Sequence, residues 1–427
     1  VTKAFTAAAL GMLVDEGKVG WDDPVTAHLP DFQLYDPYVT REITLRDLLT
    51  HRSGLPRGDL IWIGSGFDRA EILRRLRYLP PRWSFRSHYG YQNILYLAAG
   101  QVVAAVTGRS WDAFIRERIF APLGMTDSST SVTALAAAGN VAAPHADVDG
   151  QIRPVPYRNI DCIAPAGAIN SNVADMMQWI RMLLADGRYG GNRLLSAATM
   201  TELFTPQTVM GMEAPEIKAY GPQLRGHTHF VAYGLGWMLY DYRGRKIASH
   251  TGAIDGMRAA LGLIPEERLG VVFLTNRNFK NLAPALMFKV LDAYLGVPPW
   301  DSLAKWLAEA RASDERAARK WAAREKERAR DTTPSLPLEQ YAGAYEDAYC
   351  GRMTVTHENG ALVLRYGQSQ CGDLTHWHYG TFLVTWRQRH LDRSFATFAL
   401  NSRGEVETMT LEDTGWGQDY MFNRVPE

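Results

Sequence analysis

Cysteine is scarce in this 427-residue chain: three thiols, Cys162, Cys350 and Cys371, cannot supply a disulfide framework. Cys350 and Cys371 could pair or could stay as free buried thiols, and Cys162 reads as structural. An excess of one charge is missing too. Lys plus Arg and Asp plus Glu number 46 each, so nothing favours nucleic acid or an anionic membrane as partner. No apolar run approaches the roughly eighteen residues of a membrane span. The best late candidate, residues 282–297, is interrupted by Lys289 and Asp292. What remains is an ordinary globular composition, 46% hydrophobic and 22% charged, at a length that fits two to three domains.

Residues 1 to about 16 read as a helix with Phe5, Leu10, Leu13 and Val14 on its apolar side and Gly17 as its stop. Asp23-Pro24 reads as a helix start with Asp at the cap, and Thr44-Leu45-Arg46-Asp47 as a capping box. Residues 55–88, rich in Trp, Arg and Pro, form an irregular stretch expected to border a cleft. Helices are expected over 93–107, 110–118, 172–186 (capped by Ser171 or Asn172) and 281–295. Strands are expected over 234–240, 245–251, 257–264 and 268–275. Antiparallel strands flanked by helices make an α+β domain over residues 1–300. Residues 301–333 change to a mixed-charge helix former, read as a solvated linker, and 334–427 become short strands with a hairpin signal at Glu358-Asn359-Gly360.

Three short segments carry chemistry. Lys3 opens the first helix behind Val1-Thr2. Tyr91-Gln92-Asn93 stands where a loop runs into a helix, so a phenol and an amide can point into one cleft; alternatively Asn93 is only a helix cap. His250-Thr251-Gly252 lies on a strand-like stretch, where Gly252 would let a backbone approach closely.

Together these segments resemble the motifs Ser-x-x-Lys, Tyr-x-Asn and Lys/His-x-Gly of the serine β-lactamase-like family. That family takes in class C β-lactamases, D-alanyl-D-alanine carboxypeptidases, D-aminopeptidases and related esterases. The stretches Leu48-Leu49-Thr50-His51-Arg52-Ser53-Gly54-Leu55, Pro122-Leu123-Gly124-Met125, Pro165-Ala166-Gly167-Ala168 with Ser171 and Asp175, and Tyr233-Gly234-Leu235-Gly236-Trp237 look like it as well. The resemblance implies an α+β fold of the β-lactamase/transpeptidase type, an antiparallel sheet flanked by helices, followed by a small all-β, lipocalin-like barrel.

It also implies an acyl-enzyme mechanism on amide or ester bonds. A serine directly before Val1 would be the nucleophile. Lys3, Tyr91 and His250 would be catalytic, and Asn93, Thr251, Gly252 and Ala253 would bind substrate or oxyanion, Ala253 through its N–H. The sequence as written starts one residue after that serine. An upstream helix and two strands are therefore expected, lost by truncation, by a modified serine or by cleavage with continued association.

No cofactor and no metal are implied. The partner is a small-molecule or peptide substrate, together with the chain's own N-terminal segment, and a periplasmic or secreted location follows from the resemblance alone. Peptidase, carboxylesterase, β-lactamase and peptide-cyclising thioesterase share these residues. Rival readings are a metal site on His227-Thr228-His229 with His145 or His250, a decoy Ser302-Leu303-Ala304-Lys305, and a non-catalytic relative without the serine. Trp62, Trp83, Tyr220 and Trp237 could line an acyl pocket or belong to the core.

Overall fold

The computed structural model describes residues 1–212, 214, 217, 220, 224, 227–279, 282–297, 302–367, 369–412 and 418–426. Helix α1 (Thr2–Asp15) has no helix breaker near its end before Gly17, where φ is +68°. The sequence suggested one apolar side, but the structure buries every residue from Thr2 to Leu13. Its polar Lys3 and Thr6 bond to the Ala166 and Pro165 carbonyls, the rest of the buried stretch is largely apolar, and the small residues Ala7, Ala8 and Ala9 let neighbours close on it from several directions. Phe5 stacks on Trp179 with ring centroids 4.0 Å apart.

Helix α2 (Leu45–Leu49) carries the expected capping box between Thr44 and Asp47. The Asp23 start differs. Pro24 holds the cap position without a side-chain bond, and the Asp23 carboxylate is turned to Gly20 N and His28 instead. Helix α3 (Ile94–Thr107) ends on Gly108 in the left-handed region. Helix α4 (Val173–Leu184) is capped by Asn172, because Ser171 is engaged with Ser128. Helices α5 (Leu282–Tyr294) and α6 (Ser302–Glu327) follow the sheet.

Six antiparallel strands form that sheet: β1 (Thr208–Met210), β2 (Val231–Tyr233), β3 (Met238–Tyr242), β4 (Arg245–Ile254), β5 (Met257–Ile264) and β6 (Leu269–Thr275), paired in chain order. The strand expected over 234–240 is broken by a turn in which Gly234 N donates to Trp237 O. Gly236 sits there at φ +82°, and a Cβ on it would lie 2.9 Å from the Lys3 carbonyl oxygen. Only glycine lets this turn rest on the start of α1. On one face of the sheet Leu261 and Leu263 join the core around α1. On the other, Gly262 leaves room for Met287 of α5.

The last eight strands close into a barrel: β7 (Gly343–Asp347), β8 (Gly351–Glu358), β9 (Ala361–Tyr366), β10 (Gln370–His378), β11 (Thr381–Trp386), β12 (Ser394–Leu400), β13 (Val406–Leu411) and β14 (Tyr420–Val425). Pairing of β7 with β14 completes it, which removes free edges. The hairpin signal is realised, with Asn359 and Gly360 both at positive φ. Buried residues alternate along β8 and β11, as an inward face requires. A single core runs from Leu60 and Ile61 into Tyr349, Cys350 and Tyr366 of the barrel. All three thiols are free, so Cys350 and Cys371 do not pair.

Candidate active site

Lys3 lies in the first turn of α1 and is 2% exposed. Its Nζ donates to Asn93 Oδ1 at 2.7 Å and to Ala166 O at 3.1 Å. Burial drives its pKa from the usual 10.5 down to about 7; the nearby Asp59 charge opposes that fall and Arg57 adds to it. An amine poised near neutrality can both take and return a proton.

Asn93 stands at the start of α3 but makes no side-chain cap bond. It bridges instead, accepting from Lys3 while its Nδ2 donates to Asp59 Oδ1 at 2.9 Å. Asp59 is buried and also accepts from Trp62 Nε1 at 2.8 Å and from Arg57 Nε. Two of the three donors to this carboxylate therefore come from its own segment, which the sequence reading left irregular but which holds short helices at Leu60–Ile63 and Arg69–Arg75, and the third is a candidate site residue.

The partly buried Tyr91 ring lies 4.8 Å from Lys3 Nζ and 5.0 Å from the Arg57 guanidinium, centroid measured. His51 packs against it at 4.5 Å and against Tyr233 at 4.6 Å. The His51 Nδ1 accepts the Gln92 N–H at 3.1 Å, so Nε2 carries the proton. Burial, then the Lys3 charge, holds the His51 pKa well below the ordinary imidazole value.

His250 is fixed as a neutral tautomer in the same way. Its Nδ1 donates to Thr251 O at 2.5 Å, so Nε2 accepts from Tyr233 Oη at 3.0 Å. Burial first, with the Lys3 charge adding to it, pushes its pKa well down.

The start of α1 meets β4 directly. The Val1 nitrogen is 3.3 Å from Thr251 O, and a Cβ on Gly252 would lie 3.6 Å from that nitrogen. Strand β3 pairs with β4 only as far as Ser249, so among the described residues 250–254 have a neighbouring strand on one side only. Ala253 lies on this free edge, exposed. Lys3, Tyr91, Asn93, His250, Thr251 and Gly252 thus converge, with Ala253 next along the edge.

His51, Arg57, Asp59 and Tyr233 also belong here. The sequence placed 55–88 beside a cleft without naming Arg57 or Asp59, and it treated His51 and Tyr233 only as parts of longer stretches. The metal rival separates. His227 contacts Arg243, His229 contacts Asp241, and His145 bonds to Ala143 O, while His250 stays with Tyr233. Trp237 is core against Phe204, Tyr220 is buried with its hydroxyl on Ser249, Trp83 stacks on His88, and Trp62 serves Asp59.

The two buried neutral imidazoles predict a pH effect on stability. Below about pH 6.5 the unfolded chain binds two protons that the native state declines. The unfolded state then holds more protons, so unfolding free energy rises with pH and falls on acidification. Urea titrations between pH 7 and 5.5 are expected to show this fall, its slope growing toward about 2.7 kcal/mol per unit, twice the single-site value. A flat profile would show that the imidazoles are charged in the fold.

Residues 1–294 match the Beta-lactamase family, and residues 327–424 match a domain of unknown function, DUF3471. The chain is 32% identical over 326 residues to an unguisins hydrolase of Aspergillus violaceofuscus, covering 70% of this chain and 56% of that protein. It is 26% identical over 302 residues to the D-alanyl-D-alanine-carboxypeptidase/endopeptidase AmpH of Escherichia coli, covering 67% and 73%. The octameric penicillin-binding protein homologue from Pyrococcus abyssi shares the fold, with TM-score 0.58 at 20% identity over 99% of this chain and 86% of that one. The chain spans less than two thirds of the unguisins hydrolases it matches, 56% in one and 65% in the other.

Proposed function

Because the chain belongs to the Beta-lactamase family, whose members are serine hydrolases, we propose that it cleaves amide or ester bonds through an acyl-enzyme. The favoured substrate is a D-amino-acid peptide, in line with the carboxypeptidase relative, or a carboxylic ester. One observation carries the reading: the Lys3 amine, brought to a pKa of about 7, is held by Asn93 and Ala166 beside Tyr91.

The nucleophile is a serine directly before Val1. Its Oγ attacks the acyl carbon while neutral Lys3 takes the hydroxyl proton, and the carbonyl oxygen becomes an oxyanion. The backbone N–H groups of that serine and of Ala253 receive the charge; losing one such donor typically costs about 10²–10³ in rate. Tyr91 passes a proton to the leaving group as the C–N or C–O bond breaks. It then takes one from the water that attacks the ester, and Lys3 returns its proton to the serine oxygen as that oxygen leaves, so both groups end as they began. Neutral His250 orients Tyr233 and offers no cation to a substrate carboxylate.

Incubating the protein with a fluorophosphonate, then measuring intact mass and mapping peptides, tests this. A single adduct on the serine preceding Val1 is the expected result. An adduct elsewhere, or none on folded protein, overturns the assignment. A parallel incubation with a penicillin reports β-lactam acceptance.

A further inference from the structure

The barrel reaches the active site from two sides. Tyr349 Oη donates to Gly58 O at 2.6 Å, and Tyr366 Oη lies 2.8 Å from Cys350 O and 3.3 Å from Leu60 O. Those two carbonyls, of Gly58 and Leu60, flank Asp59. Both tyrosines are buried. Gly58 has φ +62°, and a Cβ on it would sit 2.6 Å from Tyr349 Oη, so the approach is as close as glycine permits. Phe67 and Gly351 touch in the same way a few residues further along.

Across the cleft, His390, in the loop between β11 and β12, meets Asp255 Oδ2 at 3.1 Å, which Arg158 Nε also holds at 2.9 Å. Asp255 begins the turn after Ile254, two residues beyond Ala253.

We infer that the barrel is a positioning domain for catalysis, with Tyr349 as its principal positioning residue: it fixes Gly58 so that Asp59 holds Asn93, and Asn93 holds Lys3. The inference rests on the reading of Lys3 as the base. The chain of contacts is continuous, from Tyr349 Oη to Gly58 O, from the adjacent Asp59 to Asn93 Nδ2, and from Asn93 Oδ1 to Lys3 Nζ. Each link is buried, where hydrogen bonds are stiff and a displaced charge acts strongly on its neighbours. A hydroxyl on a domain of unknown function would thereby set the protonation of a lysine in another part of the chain.

The test follows Lys3 itself rather than turnover. Protein labelled with ¹³C at the lysine ε-carbons is titrated by NMR, the Lys3 signal being identified by its loss in Lys3→Met. Asp59 raises the Lys3 pKa, so loosening it lowers that value. Asp59→Asn is expected to lower it by about one unit and Tyr349→Phe by about half a unit, on the scale of charge effects at this range. Tyr349→Phe should add nothing in the Asp59→Asn background, since both act through one carboxylate.

Tyr366→Phe provides the same readout if Tyr349→Phe does not fold, with near-UV circular dichroism as the check. A Lys3 titration unmoved by the tyrosine change, or a shift that persists in Asp59→Asn, overturns the inference. A wild-type Lys3 that titrates near 10.4 instead overturns the reading of it as the base.

Discussion

Lys3→Met is expected to slow acylation by about 10²–10⁴-fold, the usual contribution of a positioned proton acceptor. Methionine is unbranched and keeps most of the length and volume of the side chain but has no amine. In the wild type the rate should climb with pH through about 7, as the Lys3 amine loses its proton. That limb should vanish in the variant. Stability should change little, because the lost bonds to Asn93 and Ala166 are offset by relief from burying a cation. Second-order rates with a fluorophosphonate, read by mass spectrometry from pH 5 to 9, decide it. Retention of more than a tenth of the wild-type rate would falsify the role of Lys3 as base.

Asp47→Ala is expected to cost about 2–3 kcal/mol of stability, the scale of lost bonds to a buried charge, and less than for a fully buried pair because Arg52 and Arg86 stay partly in water. The carboxylate is fully buried. It accepts from Arg52 Nε at 2.6 Å, from Arg86 Nη2 at 2.6 Å and from Thr44 N at 3.0 Å. Removing it leaves the Arg52 and Arg86 guanidinium groups only their longer bonds to Gln207 O at 3.4 Å and Glu42 O at 3.2 Å, and takes the side-chain acceptor from Thr44 N. It also loosens the segment that carries His51 into the aromatic cluster beneath Tyr91. Urea unfolding at pH 7 gives the measure, and a loss below about 1 kcal/mol, the worth of a surface pair, would show the cluster to be solvated.

What could be read in advance follows the range of the interactions. The Thr44–Asp47 box is local, three residues across, and was legible. The arginine grip on the same carboxylate was not, since Arg86 is 39 residues away. That Lys3, Tyr91 and His250 would lie together was legible because each sits inside a short motif, at the start of a helix, in the loop before one or on a strand. The Asp59 link was hidden, because its partner Asn93 stands 34 residues on and no motif spans the gap.

Periodicity showed α1 as a helix but not its burial on every side, which depends on neighbours brought in by the fold. The strand expected over 234–240 failed for a related reason: Gly236 answers to the backbone of Lys3, far away in sequence, and not to the alternation around it. The turn between β2 and β3 and the site are therefore one event.

The one-sided stretch of β4 has a consequence for selectivity. A ligand that aligned there as an added strand would be gripped through its amides and carbonyls, which every residue owns. Its successive side chains would then fall alternately toward the α1 wall and toward the opposite face of the sheet. Discrimination would be felt at every other position, with handedness deciding which substituent meets which wall.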